Sequence, residues 1–302
     1  MSLLVLQGAV EQGFIYALVA LGLYISFRTL DIADLTTDGT FTLGAAVSAV
    51  FTVQGQPLLG VVLAFFCGAL AGFVTALLQT KLGVQPILAG IITMTALYSV
   101  NLMVMGKPNI NFFKEKTIFT AAEAMPGGFG SLLQAAAITA VLCVLLVLFL
   151  RTQLGLSLRA TGDNRDMVSA SSINPAFTTT VGLCVANAFT GLSGCLLAQS
   201  LKSAEINIGT GMVTIALASL LIGRTILGRG SILSRAVGVV LGSFLFRLVY
   251  TVALRFNMPA FMLKLVSSVI VVLAISGPYL KRRWPMIRRR LSHRSGTAKG
   301  GR

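Results

Sequence analysis

The side chains that could do chemistry concentrate in two interrupted stretches. The first runs Asp31-Ile32-Ala33-Asp34-Leu35-Thr36-Thr37-Asp38-Gly39-Thr40, and the second Glu205-Ile206-Asn207-Ile208-Gly209-Thr210-Gly211. Each stands just before an apolar segment. Polar, glycine-interrupted starts at matching places in two halves of a chain can present unwound backbone and helix ends to a polar solute within a bilayer. On this reading the pathway candidates are Thr37, Asp38, Gly39, Thr42, Asn207, Thr210, Gly211 and Thr214. A plainer assignment stands beside it: Asp31 and Asp34 occupy a solvated turn, and Asp38 or Thr36 caps the helix that follows.

Other chemistries are excluded by what is missing. The sole histidine, His293, lies in a basic tail, and Cys67, Cys143, Cys184 and Cys195 fall in apolar segments with no CxxC. They read as small core residues, so no metal or cofactor is expected in this chain. Gly223 to Gly230 (GRTILGRG) has phosphate-loop glycine spacing but carries Arg229-Gly230 where Lys-Ser/Thr is needed. Any ATP and magnesium must therefore sit on a partner. Glu11, Arg247 and Lys264 lie inside apolar segments, where charge is costly and is usually paired. Glu11 and Lys264 could pair with each other.

The elements that must position these residues are set by composition. The chain has 302 residues, 55% hydrophobic and 11% charged, with mean hydropathy +0.87. So little charge cannot cover a water-soluble domain, whereas a helix of roughly 20 apolar residues crosses a bilayer. The apolar runs are continuous rather than alternating, which predicts helices and not a barrel. The predicted fold is all-α, a polytopic membrane protein of about nine transmembrane helices. Its spans lie near 4–27, 39–54, 57–79, 86–106, 130–150, 177–200, 211–223, 233–254 and 260–279. The start lacks a basic cleavable signal, so the first span is expected to remain.

The formal charge of +15 is distributed as membrane proteins distribute it. Nine of the 24 Lys and Arg residues lie in the tail from Lys281 to Arg302, and most others flank apolar runs. A cytoplasmic tail near anionic lipid explains this better than a nucleic-acid arm. With that tail inside, nine spans place 17 basic residues inside and five outside. The bias sets the C-terminus in the cytoplasm and the N-terminus outside.

Weak self-similarity divides the chain. Gly22 and Gly194, Gly39 and Gly211, Thr42 and Thr214, and Ala46 and Ala218 are each 172 apart, while Gly68 and Gly72 pair with Gly238 and Gly242 at 170. An offset of five spans reverses direction, giving two inverted-topology repeats. Repeat one covers about 4–106, a joining helix 130–150, and repeat two about 177–279. Together they form one membrane domain, 1–280, followed by the tail 281–302. Small residues at four-residue spacing, as in Gly60, Ala64, Gly68 and Gly72, predict close helix packing.

Between spans five and six, residues 151–176 form an amphipathic, charged loop. From its chemistry alone it is either a short helix docked on a partner or a plain connector. Its Gly155-Leu-Ser-Leu-Arg159-Ala-Thr-Gly162-Asp-Asn164 and Ala170-Ser-Ser-Ile173-Asn174 resemble the cytoplasmic loop of permeases in the branched-chain amino-acid and ribose ABC importer family. That pattern runs G-x-x-L-R-A-x-G-x-N and later A, then G-I-N; Ser172 stands where the family often has glycine. Asp38-Gly39-Thr-Phe-Thr-Leu-Gly44, Phe189-Thr-Gly-Leu-Ser-Gly194 and Gly209-Thr-Gly-Met-Val-Thr-Ile-Ala216 resemble further family segments, so the likeness runs over about residues 10 to 280.

The resemblance implies a non-enzymatic permease in a bacterial cytoplasmic membrane. It implies partnership with cytoplasmic ATP-binding subunits and an external substrate-binding protein. It further implies a coupling segment containing Arg159, Gly162, Asp163, Asn164, Arg165, Ile173 and Asn174, and a pair of permeases, here expected to be a homodimer. The stretch Asp34-Leu-Thr-Thr-Asp-Gly-Thr40 is most similar to a branch associated with aromatic amino acids such as tryptophan or tyrosine. The rival is an ion-driven secondary transporter, for which Glu11 and Asp38 are the few carboxylates available.

Overall fold

The computed structural model describes residues 3–123, 129–227 and 230–255, with isolated positions between 265 and 276. The chain order is α1 (Leu3–Leu23), a π-helical turn (Tyr24–Thr29), α2 (Thr36–Val53), α3 (Pro57–Thr80), α4 (Pro86–Met105) and β1 (Asn109–Asn111). It continues with α5 (Thr120–Glu123), α6 (Gly130–Arg151), α7 (Gln153–Asp163), α8 (Arg165–Ala170) and α9 (Pro175–Leu201). The last described elements are β2 (Ser203–Glu205), α10 (Met212–Leu227) and α11 (Ile232–Arg255).

The helix starts follow local rules. Pro57, Pro86 and Pro175 begin α3, α4 and α9, where a missing N–H costs nothing, and left-handed Gly106 ends α4. Among the described residues six helices are long and apolar enough to cross a membrane: α1 with its π turn, α3, α4, α6, α9 and α11. The predicted spans at 39–54 and 211–223 are α2 and the shorter α10, and of the predicted span 260–279 only isolated positions are described. At 16 residues α10 is about 24 Å long, less than the roughly 30 Å hydrocarbon layer. Its lead-in instead descends as irregular backbone from a small ribbon in which β1 pairs antiparallel with β2, Asn109 opposite Glu205.

Helix α9 forms the centre, with 83% of its apolar window buried, against 28% for α4 and α6 at the periphery. It packs on α1, α2 and α3. Glycine lets these backbones meet. A Cβ on Gly44 would strike the Gly191 carbonyl, and one on Gly72 the Leu183 carbonyl. Apolar burial gives no net drive between helices in lipid, so this close approach supplies much of the cohesion. After each of the two innermost helices, α1 and α9, stands a non-glycine residue in the left-handed region, Asp31 (φ 56) and Lys202 (φ 52).

Candidate solute pathway and coupling loop

Helix α2 begins inside the bundle because its first turns find polar partners there. Asp34, 2% exposed, accepts from the Thr36 N–H at 2.9 Å through Oδ1 and from Asn187 Nδ2 at 2.7 Å through Oδ2. Asn187 Oδ1 in turn accepts from Thr40 Oγ1 at 2.8 Å, and the Thr36 and Thr75 hydroxyls meet at 2.8 Å. Asp34 is thus not in a solvated turn, as the plainer assignment had it. It ties the start of α2 to the middle of α9, in a setting where an unpaired polar group would be expensive.

Asp38 lies one turn further on and reaches across to α10. Its carboxylate accepts from the Gly211 N–H at 2.8 Å and the Val213 N–H at 2.9 Å. These belong to the otherwise unpaired donors of a helix start, and the anion also meets the positive end of that helix dipole. Thr42 Oγ1 donates to the Asp38 carbonyl and accepts from the Gly209 N–H at 3.1 Å. A Cβ on Gly209 would collide with the Asp38 carbonyl, and Gly211 turns the chain at φ +90.

Of the pathway candidates, the structure therefore brings Asp38, Thr42 and Gly211 into direct contact. Gly39 is buried against Leu97 and Met94 of α4, and its carbonyl accepts from Asn101 Nδ2. Thr37 is buried and donates to the Asp34 carbonyl. Asn207 and Thr210 are exposed and Thr214 half-buried, and no side-chain hydrogen bond joins these three to the Asp38–Gly211 junction among the described residues.

The 151–176 segment folds as two short helices. Asn164 accepts from the Met167 N–H to start α8, and Asn174 accepts from the Ala176 and Phe177 N–H groups to start α9. Gly162 packs against the Thr29 carbonyl, and the Thr161 and Thr178 hydroxyls meet at 2.8 Å, pinning α7 to the bundle. Asp163, Asn164, Arg165 and Asn174 are exposed, while Arg159 is half-buried and its Nε donates to the Gly155 carbonyl. Ile173 is half-buried beside Ser172, which adopts φ 61. The family's glycine at that position thus has a backbone reason here.

Sequence reasoning missed several participants. Asn187 and Gln199 hold buried hydrogen bonds in α9; Gln199 reaches the Ile118 N–H, Ser48 Oγ and the Pro57 carbonyl. The available signal was an amide within an apolar span. Gln79 was also missed. Both its side-chain polar atoms are buried without a partner among the described residues, beside a cavity of about 420 Å³ that Arg165, Gln85 and Thr179 help line. Of the intramembrane charges, Glu11 accepts from Ser131 and Ser200, joining α1, α6 and α9, while Lys264 lies outside the described residues. Arg247 lies 5.2 Å from the Tyr16 ring centre and 4.7 Å from that of Tyr250.

A bundle in which α2 and the short α10 start on polar contacts within it fits the broken-helix arrangement of transport proteins. Residues 5–275 match the family described as branched-chain amino acid transport system / permease component, and the chain belongs to that family. It is 34% identical over 262 residues to the tyrosine transport system permease protein of Clostridioides difficile, covering 86% of this chain and 87% of that one. It is 24% identical to the ribose import permease protein RbsC of Escherichia coli K12, over 88% and 82% of the two chains. Identity is 27% to the galactose/methyl galactoside import permease protein MglC of Haemophilus influenzae, over 88% and 83%. No solved structure matches. The protein is the permease component of an ATP-binding cassette importer for a small solute, and is not itself an enzyme.

Proposed function

We propose that this permease moves an amino acid, with tyrosine or a related aromatic the first to test, along a path bordered by the Asp38–Gly211 junction. The likeness to the tyrosine transport system permease supports that solute class. The observation that carries the path is the carboxylate of Asp38 joining two helix starts deep in the bundle. Asn207, Thr210 and Thr214 offer polar groups along the approach.

Two copies of the chain would pair in the bacterial cytoplasmic membrane, C-terminus inside, with cytoplasmic ATPases below and an external binding protein above. Two inverted repeats would rock about the junction. Support comes from the packing: α3 on α9 parallels α11 on α1, and α2 on α3 parallels α10 on α11. Asp31 and Lys202, both left-handed, stand 171 residues apart, close to the repeat spacing.

The ATPase contact would be α8 and its flanks, Arg159 to Asn174. The exposed Arg165 and the unpartnered Gln79 amide at the neighbouring cavity support a partner seated there. Replacing residues 159–174 with a neutral linker is expected to abolish tyrosine uptake in cells while membrane insertion persists. Unchanged uptake would refute the coupling role.

A further inference from the structure

A second polar constellation lies away from the junction. Arg28 at the end of the π turn, Arg224 near the end of α10 and Arg235 in the first turns of α11 line one cavity of about 90 Å³, together with Tyr24, Leu220 and Val239. That space admits a tetrahedral oxyanion. None of the three guanidinium groups has an ion-pair partner among the described residues, and Tyr24, 5% exposed, has no described side-chain hydrogen bond. All three arginines are exposed at the mouth of this open space, where water screens part of their mutual repulsion; an anion among them would relieve the rest, and guanidinium forks match phosphate oxygens.

The surroundings indicate where the anion comes from. Leu220 and Val239 make an apolar floor one turn deeper than the arginines. Beside the rim, Phe27, Ile226, Leu233 and Val237 are 38%, 47%, 44% and 39% exposed. Charge at the rim with apolar side chains beside it suits a phosphate attached to acyl chains better than a peptide carboxylate arriving from water. We infer that Arg28, Arg224, Arg235 and Tyr24 form a binding site for the phosphate of an anionic lipid headgroup. The assignment of this lipid to the inner leaflet rests on the orientation proposed above; the binding itself does not. Because Arg28 adjoins Thr29, whose carbonyl receives Gly162 of α7, an occupied site would brace the loop proposed to meet the ATPase.

The test is native mass spectrometry of the delipidated full chain, titrated with phosphatidylglycerol or phosphatidylcholine. Phosphatidylglycerol is expected to bind preferentially, and each of Arg28→Gln, Arg224→Gln and Arg235→Gln to weaken it about five-fold. The triple Lys variant, which keeps the charge, is expected to retain most of the binding and so separates lost charge from lost folding. Equal binding of both lipids, or undiminished phosphatidylglycerol binding by the triple Gln variant, overturns the site. Displacement of the lipid by millimolar inorganic phosphate assigns the site to a free anion and overturns the lipid reading. A triple Gln variant that binds lipid normally but no longer retains the ATPase does the same in favour of a protein carboxylate. Lipid binding is measured on the permease alone, so a wild-type chain that binds lipid but never retains an ATPase counts against the importer assembly and not against this site.

Discussion

At Asp38 a single carboxylate holds together two backbone starts 173 residues apart in sequence, through N–H donors that the α10 helix cannot satisfy itself. Removing it leaves Gly211 and Val213 N–H groups without their acceptor, at a cost of about 1–3 kcal/mol. Asp38→Ala is expected to lower the unfolding temperature and abolish uptake, with Asp38→Asn intermediate because one acceptor oxygen remains. A thermal melt alongside a transport assay checks this; wild-type values in both would remove the junction from the mechanism. Ser172 is the opposite case. Its left-handed backbone costs a side chain about 1–2 kcal/mol, so Ser172→Gly is expected to raise the melting temperature in the same thermal melt. The sequence marked Asp38, yet the solvated-turn assignment for Asp34 failed for a physical reason. A short side chain can bond locally or across the bundle, and only the neighbouring helix decides.

Helix α3 packs through a small-residue face legible in the sequence as the four-residue spacing of Gly60, Ala64, Gly68 and Gly72, because close backbone approach needs small residues at every turn, whereas Gly44 of α2 and Gly191 of α9 belong to no such glycine and alanine stripe. The stripe identified which face packs but not its partner. Gly44 meets Gly191, and Gly72 meets Leu183, across separations that spacing alone does not specify. Gly44→Ala drives a Cβ onto a carbonyl and is expected to cost about 1–3 kcal/mol, read as lower yield and earlier melting. Gly8, inside α1 with nothing within 4 Å of its would-be Cβ, is the internal control, and Gly8→Ala should melt no earlier than wild type. The shortness of α10 was also legible, since its apolar run is brief. That its lead-in is held by a β ribbon was not, because Asn109–Asn111 and Ser203–Glu205 are too short and polar to announce strands.

For the molecule as a whole, membership of an importer permease family implies that ATP hydrolysis is supplied by a partner. Affinity purification of the tagged protein from its native membrane is expected to retain a soluble ATPase bearing a phosphate-loop lysine, in stoichiometric amount, identified by mass spectrometry. A pure chain that still drives ion-dependent uptake would restore the secondary-transporter alternative. The amino-acid sequence by itself determined the solvent, the helical class and the general place of the polar interruptions. Runs of apolar residues, breaks in them and flanking charge are local properties, and the bilayer enforces them. Only the tertiary structure decided that Asp34 pairs with Asn187, that Asp38 serves α10, and that Arg28, Arg224 and Arg235 surround one cavity. Those facts depend on which distant helices lie side by side, and in a bundle that choice is made by packing shape and hydrogen-bond satisfaction, which residue types alone do not encode.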